Sequence, residues 1–444
     1  MTRLSGTGRV LTGWGRTQPS RAFVTGPVEI AQLQEIIAAQ PARGLLARGA
    51  GRSYGDAAQN GGGYVLDPVT PARIDLDAAG ATVRVSASTT FTELLEQLIP
   101  HGLLLPVLPG TRHLTVGGAV AADVHGKNHH GDGSISAWID EIDLVDGEGK
   151  QHVLVPGTES FRATVGGMGL TGVILAVKLR LLPISSTALQ VSTRRLPDLD
   201  SLLAAMDAAT GRYSVAWIDT SGGRSFGRGI LEAGDHLTTP GPADRDGLAY
   251  RAGPAPRAPA LPFCPFTTVT ARAFNGLWYR AAPDEHTGTV SLARYFHRLD
   301  AVSQWNRALG PRGFLQYQFV VPLDADKMIT EVLTTLRRHH AAPFLGTLKR
   351  FGAASGNYLS FPGPGWSLAV DMPAGNRGLR TVLDHLDRRV AESGGRVYLA
   401  KDARLRPDTF AAMYPSLGPW QEAREQLDPR GVFRSDLGRR LGLC

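Results

Sequence analysis

The chain of 444 residues has only two cysteines, Cys264 and Cys444. This scarcity excludes a disulfide framework and argues against a zinc site built on several thiolates. No stretch reaches the ~18–20 consecutive apolar residues that a membrane-spanning helix needs. Residues 1–20 carry positive charge without the apolar core of a secretory signal. These absences predict a soluble, cytoplasmic protein.

Basic runs with interleaved aromatic residues are also missing, which argues against nucleic acid as a partner. The formal net charge is nevertheless +7, so acidic partners are favoured. An anionic small molecule and an anionic membrane surface both fit this charge. The chain is longer than sequences that usually fold around one compact core, so two domains are expected.

Several short segments have the periodicity of regular structure. Residues 29–39 space their apolar side chains as a helix does. Residues 74–88 and 138–155 alternate around glycine turns, as β-hairpins do. Thr90 and Glu93 match a capping box, which predicts a helix start. The first 185 residues are therefore expected to mix α and β structure.

A proline-rich segment over residues 234–266 interrupts the second half of the chain. Its composition is typical of a mobile surface loop. A long loop in a compact domain is often functional, so a lid over a site is the alternative.

Glycine-rich segments raise the question of a phosphate site. GMGLTG at residues 167–172 has the letters of a dinucleotide-binding fingerprint, but that motif must open a helix. The strand-like Val173–Val177 follows it, which argues against a Rossmann site. In ARGAGRSYGD, residues 47–56, the glycines allow backbone N–H groups to turn inward around an anion. An ordinary turn between strands is the alternative.

DVHGKNHH, residues 123–130, brings three histidines and a lysine together. The stretch alone permits a metal site, a solvated histidine loop or one wall of a ligand pocket. Metal binding would need convergent ligands, including carboxylates or thiolates, and no metal is predicted.

With VGGMGLTGVI, these glycine segments resemble the FAD-binding fold of the vanillyl-alcohol-oxidase (PCMH-type) superfamily. TGWGRT, RSYGDAAQNGGG, LPGTRHLTVGGAVAADVHGKNHH, GFLQYQFVVP and GGRVYLAKDAR are similar to the actinobacterial decaprenylphosphoryl-β-D-ribose 2′-oxidase family. The resemblance implies an α+β, two-domain PCMH-type fold whose substrate domain is built on an antiparallel sheet. It implies an FAD domain over 1–185, a substrate domain over 186–405, and a segment over 406–444 that returns to the FAD domain.

The resemblance implies FAD as cofactor, with its pyrophosphate on the Gly49–Gly55 backbone. The implied cofactor-binding residues are Ala47, Arg48, Gly49, Ala50, Gly51, Arg52, Ser53, Tyr54, Gly55, Asp56, Ala57, Gly110, Thr115, Val116, Gly117, Gly118, Ala122, Asp123, Val124, His125, Val173 and Tyr398. Many relatives attach the flavin to a histidine in this first loop. Residues 51–54 contain none, so non-covalent FAD is expected.

For the chemistry, the resemblance implies Lys401, His125 and Tyr54 as catalytic residues. The implied substrate-binding residues are Gln316, Gln318, Lys349, Ser367, Trp217 and Lys401, with Trp366 as a further wall. Gln316 and Gln318 are two apart, so in a strand they share one face, which suits a polyol; a solvent-facing strand is the alternative. Ala369, Ser367 and Phe296 depart from the family pattern, where cysteine, asparagine and tyrosine are expected.

The implied reaction oxidises the 2′-hydroxyl of a polyprenylphosphoryl-β-D-ribofuranose to the 2′-keto sugar. A separate NADH-dependent keto-sugar reductase would complete the epimerisation to the arabinose donor for cell-wall arabinan. A lipid-linked substrate also implies peripheral contact with the membrane. An FAD-dependent oxidase of a soluble sugar or alditol is the main alternative, and a non-catalytic basic binding module is a third.

Overall fold

The computed structural model describes residues 6–221, 226–239, 248, 250, 253 and 255–444. The α+β class is confirmed, since helices surround several largely antiparallel sheets. The first sheet has four strands in the order β1-β2-β4-β3, with β2, β4 and β3 parallel. Its elements, with the first helix, are β1 (Thr7–Leu11), β2 (Ser20–Thr25), α1 (Ile30–Ala38), β3 (Leu45–Ala47) and β4 (Tyr64–Leu66).

The second sheet has five antiparallel strands in the order β5-β6-β10-β8-β9, and a two-stranded sheet pairs β7 with β11. The strands are β5 (Ile74–Asp77), β6 (Thr82–Ser86), β7 (Leu103–Leu104), β8 (Ile139–Val145), β9 (Gln151–Leu154), β10 (Val173–Arg180) and β11 (Leu182–Pro183). The helices of this region are α2 (Phe91–Leu98), α3 (Val116–Ala121), α4 (His129–Asp132) and α5 (Glu159–Thr164).

The largest sheet has eight antiparallel strands in the order β15-β12-β14-β13-β17-β18-β16-β19. The strands are β12 (Ala188–Leu196), β13 (Tyr213–Ile218), β14 (Gly229–His236), β15 (Glu285–Ser291), β16 (Phe314–Val321), β17 (Leu345–Phe351), β18 (Gly365–Pro373) and β19 (Arg396–Val397). The accompanying helices are α6 (Leu199–Asp207), α7 (Thr268–Ala281), α8 (Leu292–Phe296), α9 (Lys327–Arg338) and α10 (Leu379–Glu392).

Three helices complete the chain: α11 (Pro407–Met413), α12 (Leu417–Leu427) and α13 (Asp436–Leu441). Helix α11 packs on α10, β19 and α13, whereas α12 packs on α5. The indole of Trp420 in α12 is fully buried, and its Nε1 donates to Ala163 O of α5 at 3.0 Å. Phe433 forms a parallel bridge with Leu45 of β3. The end of the chain therefore holds β3, which leads into the first glycine loop.

Most local predictions are confirmed. Residues 30–38 are helical, both hairpins form, and Thr90 caps α2 with the reciprocal Glu93 contact. GMGLTG runs into β10 and not into a helix, as its sequence indicated. Among the described residues, no helix is long and apolar enough to cross a membrane.

The prediction places the start of the proline-rich loop too early in the chain. Residues 234–236 are the end of β14, because they pair with Val191, Gln190 and Leu189 of β12. Residues 240–247, 249, 251, 252 and 254 of that loop lie outside the described residues. The alternative of a lid stays a prediction.

A buried ion cluster fixes the C-terminal segment to the first loop. Arg440 donates to both carboxylate oxygens of Asp56, at 2.9 and 2.8 Å, and its guanidinium lies 2.8 Å from Asp402. Both carboxylate side chains are at most 5% exposed. Arg440 thus bridges two buried acids from different parts of the chain, and Arg404 also acts on Asp402.

Arg440→Ala would remove the ion-pair partner of the buried Asp56 and one of the two cations that act on Asp402. We expect it to lower the free energy of unfolding by about 3 kcal/mol or more, measured by urea denaturation. Arg73→Ala, which removes an exposed pair with Asp75, serves as control and should cost less than about 1 kcal/mol. Equal losses in the two variants would contradict this account.

Candidate active site

A cavity of about 1020 Å³ lies between the N-terminal glycine segments and one face of the eight-stranded sheet. This volume is at the upper end of the roughly 300–1,000 Å³ typical of small-ligand sites, so the cavity can hold a large ligand. Its lining includes residues 47–54, the small-residue turns around α3, and alternate side chains of β16, β17 and β18.

The first glycine loop presents free backbone donors to this cavity. Arg48 N donates to Leu66 O at 2.9 Å, and Tyr54 N donates to Ala400 O at 2.8 Å. Between them, the N–H groups of Gly49 to Ser53 donate to no acceptor among the described residues. Successive free N–H groups form an anion-binding nest, so the loop fits a pyrophosphate.

Glycine is required at two points of this loop. Gly51 has φ +62°, in the left-handed region that disfavours other residues. A Cβ on Gly49 would lie 2.2 Å from Thr115 Oγ1, the hydroxyl that caps α3. The two glycine segments therefore touch, and together they form one wall of the cavity.

Most of the cofactor residues implied by the resemblance line this cavity. They are Ala47, Arg48, Gly49, Ala50, Gly51, Arg52, Ser53, Tyr54, Ala57, Gly110, Thr115, Gly117, Gly118, Ala122, Val124, His125 and Tyr398. The Tyr398 hydroxyl donates to Ala122 O at 2.9 Å, which ties the late segment to the end of α3.

Gly55, Asp56, Val116, Asp123 and Val173 are not among the cavity-lining residues. Asp56 is turned away to bind Arg440, while Val116 and Val173 are fully buried in the apolar core. A Cβ on Gly55 would lie 1.8 Å from the carbonyl oxygen of Asp402. Glycine at this position therefore allows the two backbone segments to pack closely.

Asp123 is buried beneath the cavity wall and has a structural role there. It has φ +39° and is completely buried. Its carboxylate accepts from Ser136 N at 3.2 Å and from the hydroxyls of Ser355 and Ser360. These bonds hold the turn that presents Val124 and His125.

His125 lies in an aromatic cage formed by the rings of Phe351, Phe361 and Tyr398. Its Nε2 is 3.1 Å from the amide nitrogen of Gln318 and therefore accepts that hydrogen bond. Burial and the neighbouring Lys349 hold the pKa of His125 well below its usual range, so the ring is neutral. Its buried Nδ1 has no partner among the described residues.

The other two histidines of this stretch have separate partners. Gly352 N donates to His129 Nδ1 at 3.2 Å, and His130 Nε2 is 3.2 Å from Gly211 O. Within the described ranges, no group of three or more His, Cys, Asp or Glu residues could hold a metal ion.

Alternate residues of three adjacent strands form the polar end of the cavity. Gln316 and Gln318 of β16 both face it, as their spacing predicted. Ser367, Ala369 and Asp371 of β18 follow the same alternation, as do Leu345, Thr347 and Lys349 of β17. Trp217 also lines the cavity, whereas Trp366 points into the core.

Asp371 is a site residue that the sequence reasoning missed. Both of its carboxylate oxygens accept from Gln316 Nε2, at 2.9 and 3.0 Å. Burial raises its pKa, while Gln316 and Lys401 act in the opposite direction. Continuing the period of two from Ser367 through Ala369 would have found it.

Three lysines surround this end. Lys401 Nζ lies 3.7 Å above the ring of Tyr54, and burial lowers its pKa against the attraction of Asp371. Lys349 and Lys127 also line the cavity, and burial lowers their pKa values to about 8 and about 7. Lys127 donates to Tyr295 O at 2.6 Å. An anionic ligand group would stabilise these desolvated cations.

Comparison with known proteins agrees with this geometry. Residues 22–155 match the family described as "FAD binding domain", and residues 374–441 match "D-arabinono-1,4-lactone oxidase". The chain is 39% identical over 463 aligned positions to decaprenylphosphoryl-beta-D-ribose oxidase of Mycolicibacterium smegmatis, which covers 100% of this chain and 99% of that one.

Two further relatives come from Streptomyces. An uncharacterised protein of Streptomyces coelicolor is 40% identical, over 80% of this chain and 100% of its own length. An alditol oxidase of a Streptomyces species is 32% identical, over 39% of this chain and 42% of its own. Because the M. smegmatis match spans both chains, this protein belongs to the decaprenylphosphoryl-β-D-ribose oxidase family of FAD-binding oxidoreductases.

Proposed function

We propose that this protein oxidises the 2′-hydroxyl of a polyprenylphosphoryl-β-D-ribofuranose to the 2′-keto sugar. The observation that carries the proposal is the polar end of the cavity, where half-buried lysines lie beside two strand amides. Partly desolvated cations suit a phosphodiester, and amides that alternate along a strand suit the hydroxyls of a sugar. The name of the M. smegmatis relative supports the same substrate class.

FAD, when bound, supplies the acceptor for the hydride that leaves C2′. The free N–H groups of Gly49 to Ser53 would hold its pyrophosphate, and Gly117 and Gly118 would allow close approach to the backbone. We propose that the binding is non-covalent, because residues 51–54 contain no histidine and neither cysteine lines the cavity.

Lys401 would accept the proton of the sugar hydroxyl. Burial lowers its pKa, so a neutral amine that can accept this proton is accessible near neutral pH. Neutral His125 lines the same cavity, and the hydrogen bond from Gln318 to its Nε2 fixes the ring where it would position the sugar. Tyr54 supports Lys401 through its ring face. Lys349 and Lys127 would bind the phosphate.

The proposed role has consequences beyond the site. The keto sugar would pass to a separate NADH-dependent reductase, which completes epimerisation to an arabinose donor for cell-wall arabinan. A polyprenyl tail would require peripheral contact with the membrane. Oxidation of a soluble alditol is the second candidate, because the chain shares a partial match with an alditol oxidase and departs from the family pattern at Ala369, Ser367 and Phe296.

Anaerobic titration of the FAD-loaded protein separates the two candidates. We expect a prenylphosphoryl ribose to bleach the visible flavin band, while free ribose and alditols leave it unchanged at equal concentration. Bleaching by an alditol but not by the prenylphosphoryl ribose would establish the second candidate instead.

Lys349→Met should weaken binding of the phosphorylated substrate in particular. Losing one charge-assisted contact to phosphate costs about 1.5–3 kcal/mol, a rise in KM of roughly 10–150-fold. Lys349→Arg keeps the charge and should lose less. A Lys349→Met defect equally large for a ribose analogue without phosphate would show that the lysine does not bind that group.

The pH profile reports the coupling between Lys401 and Asp371. The carboxylate raises the pKa of Lys401, so Asp371→Asn should lower that pKa. The limb of kcat/KM that rises as the amine loses its proton should therefore move to lower pH. Asp300→Asn is the control, since that cavity-lining carboxylate acts on Arg52 and His113. An unmoved limb in Asp371→Asn would contradict the assignment.

A further inference from the structure

Helix α7 exposes an apolar surface beside the mouth of the cavity. Val269 is 76% exposed and Leu277 is 69% exposed, while Phe274 and Trp278 are 42% and 39% exposed. The rings of Phe274 and Trp278 stack with centroids 6.2 Å apart. Phe263, in the segment that leads to the helix, is 65% exposed. We call these five residues the α7 apolar face.

The arrangement is the reverse of an ordinary surface helix, which turns its apolar stripe towards the core. Val269, Ala273 and Leu277 follow one another at four-residue spacing and are all exposed. The residues that α7 buries are Ala271, Asn275 and Gly276, which are small or polar. Large apolar side chains thus face outward for the full length of the helix.

Basic residues flank the α7 apolar face along the helix. Residues 255–283 contain three arginines, Arg257, Arg272 and Arg280, and the acids Asp284 and Glu285 follow beyond the end of α7. Arg272 and Arg280 belong to α7 itself and are exposed. Aromatic and aliphatic side chains with flanking arginines are typical of helices that lie in the interface of an anionic bilayer.

The α7 apolar face is continuous with the mouth of the cavity. Phe274 and Trp278 are exposed and also line the cavity, as do Ala281, Ala282 and Pro283 just beyond them. A surface that binds to this helix would therefore sit at the cavity entrance.

We propose that the α7 apolar face docks the protein on an anionic lipid bilayer and presents the cavity mouth to the membrane. The proposal rests on the proposed function in that a lipid-linked substrate would then enter directly from the bilayer. A second copy of the chain is the competing occupant, and the sedimentation velocity experiment below tests for it.

Vesicle sedimentation of the FAD-loaded full chain tests the docking without any turnover. We expect binding to phosphatidylcholine vesicles that contain phosphatidylglycerol, and weaker binding to phosphatidylcholine alone. The double variant Val269→Asp with Leu277→Asp should weaken binding at least about tenfold, which corresponds to ~1.4 kcal/mol. The matched control is Val153→Asp, at a 61% exposed valine of β9, and it should bind as the unaltered protein does.

Failure of the docking and failure of the proposed function give different results. A water-soluble, short-chain prenylphosphoryl ribose should bleach the flavin equally in the double variant and in the unaltered protein, since neither position lines the cavity. Absence of bleaching in both would remove the proposed function and leave the vesicle result standing. No vesicle binding by the unaltered protein, or a dimer in sedimentation velocity that the double variant abolishes, would overturn the docking.

Discussion

The structure depends on a loop whose backbone donors have no acceptor within the described protein. The N–H groups of Gly49 to Ser53 lie in a loop that lines the cavity and is half-buried apart from the exposed Ala50, so they are available to an anionic group there. Distant segments hold this loop open. Ala400 O accepts from Tyr54 N, while Asp56 just beyond is bound by Arg440 of α13. The packing of the C-terminal segment therefore also holds the conformation of the loop that would bind the cofactor.

At the polar end of the cavity, desolvation shifts the pKa values of the ionisable side chains. Burial lowers the pKa values of Lys127, Lys349 and Lys401, and Asp371 is the acid that acts on Lys401. Charges placed in such a low-dielectric setting interact strongly with a ligand of opposite sign. The same desolvation makes a neutral amine and a neutral imidazole available, which proton transfer at a hydroxyl requires. Substrate affinity and acid–base chemistry thus have a common physical origin.

Local patterns predicted the local structure well. The capping box at Thr90, the hairpins and the shared face of Gln316 and Gln318 depend on neighbouring residues only. Asp371 follows from the same period of two, but it was missed. The separation of Asp123 from the cavity could not be read in this way, because it depends on contacts with the distant residues Ser355 and Ser360. The family resemblance supplied the cofactor, which no spacing alone established. The outward face of α7 had no sequence signal, since an exposed and a buried apolar stripe have the same period.

The central claim is that the glycine loops hold one non-covalent FAD per chain. The most direct measurement is the visible absorption spectrum of the purified protein, followed by denaturation and assay of the released nucleotide. The account predicts a flavin spectrum and release of one FAD per chain into the protein-free supernatant. A colourless protein that takes up no FAD, or colour that stays with the denatured chain, would contradict it.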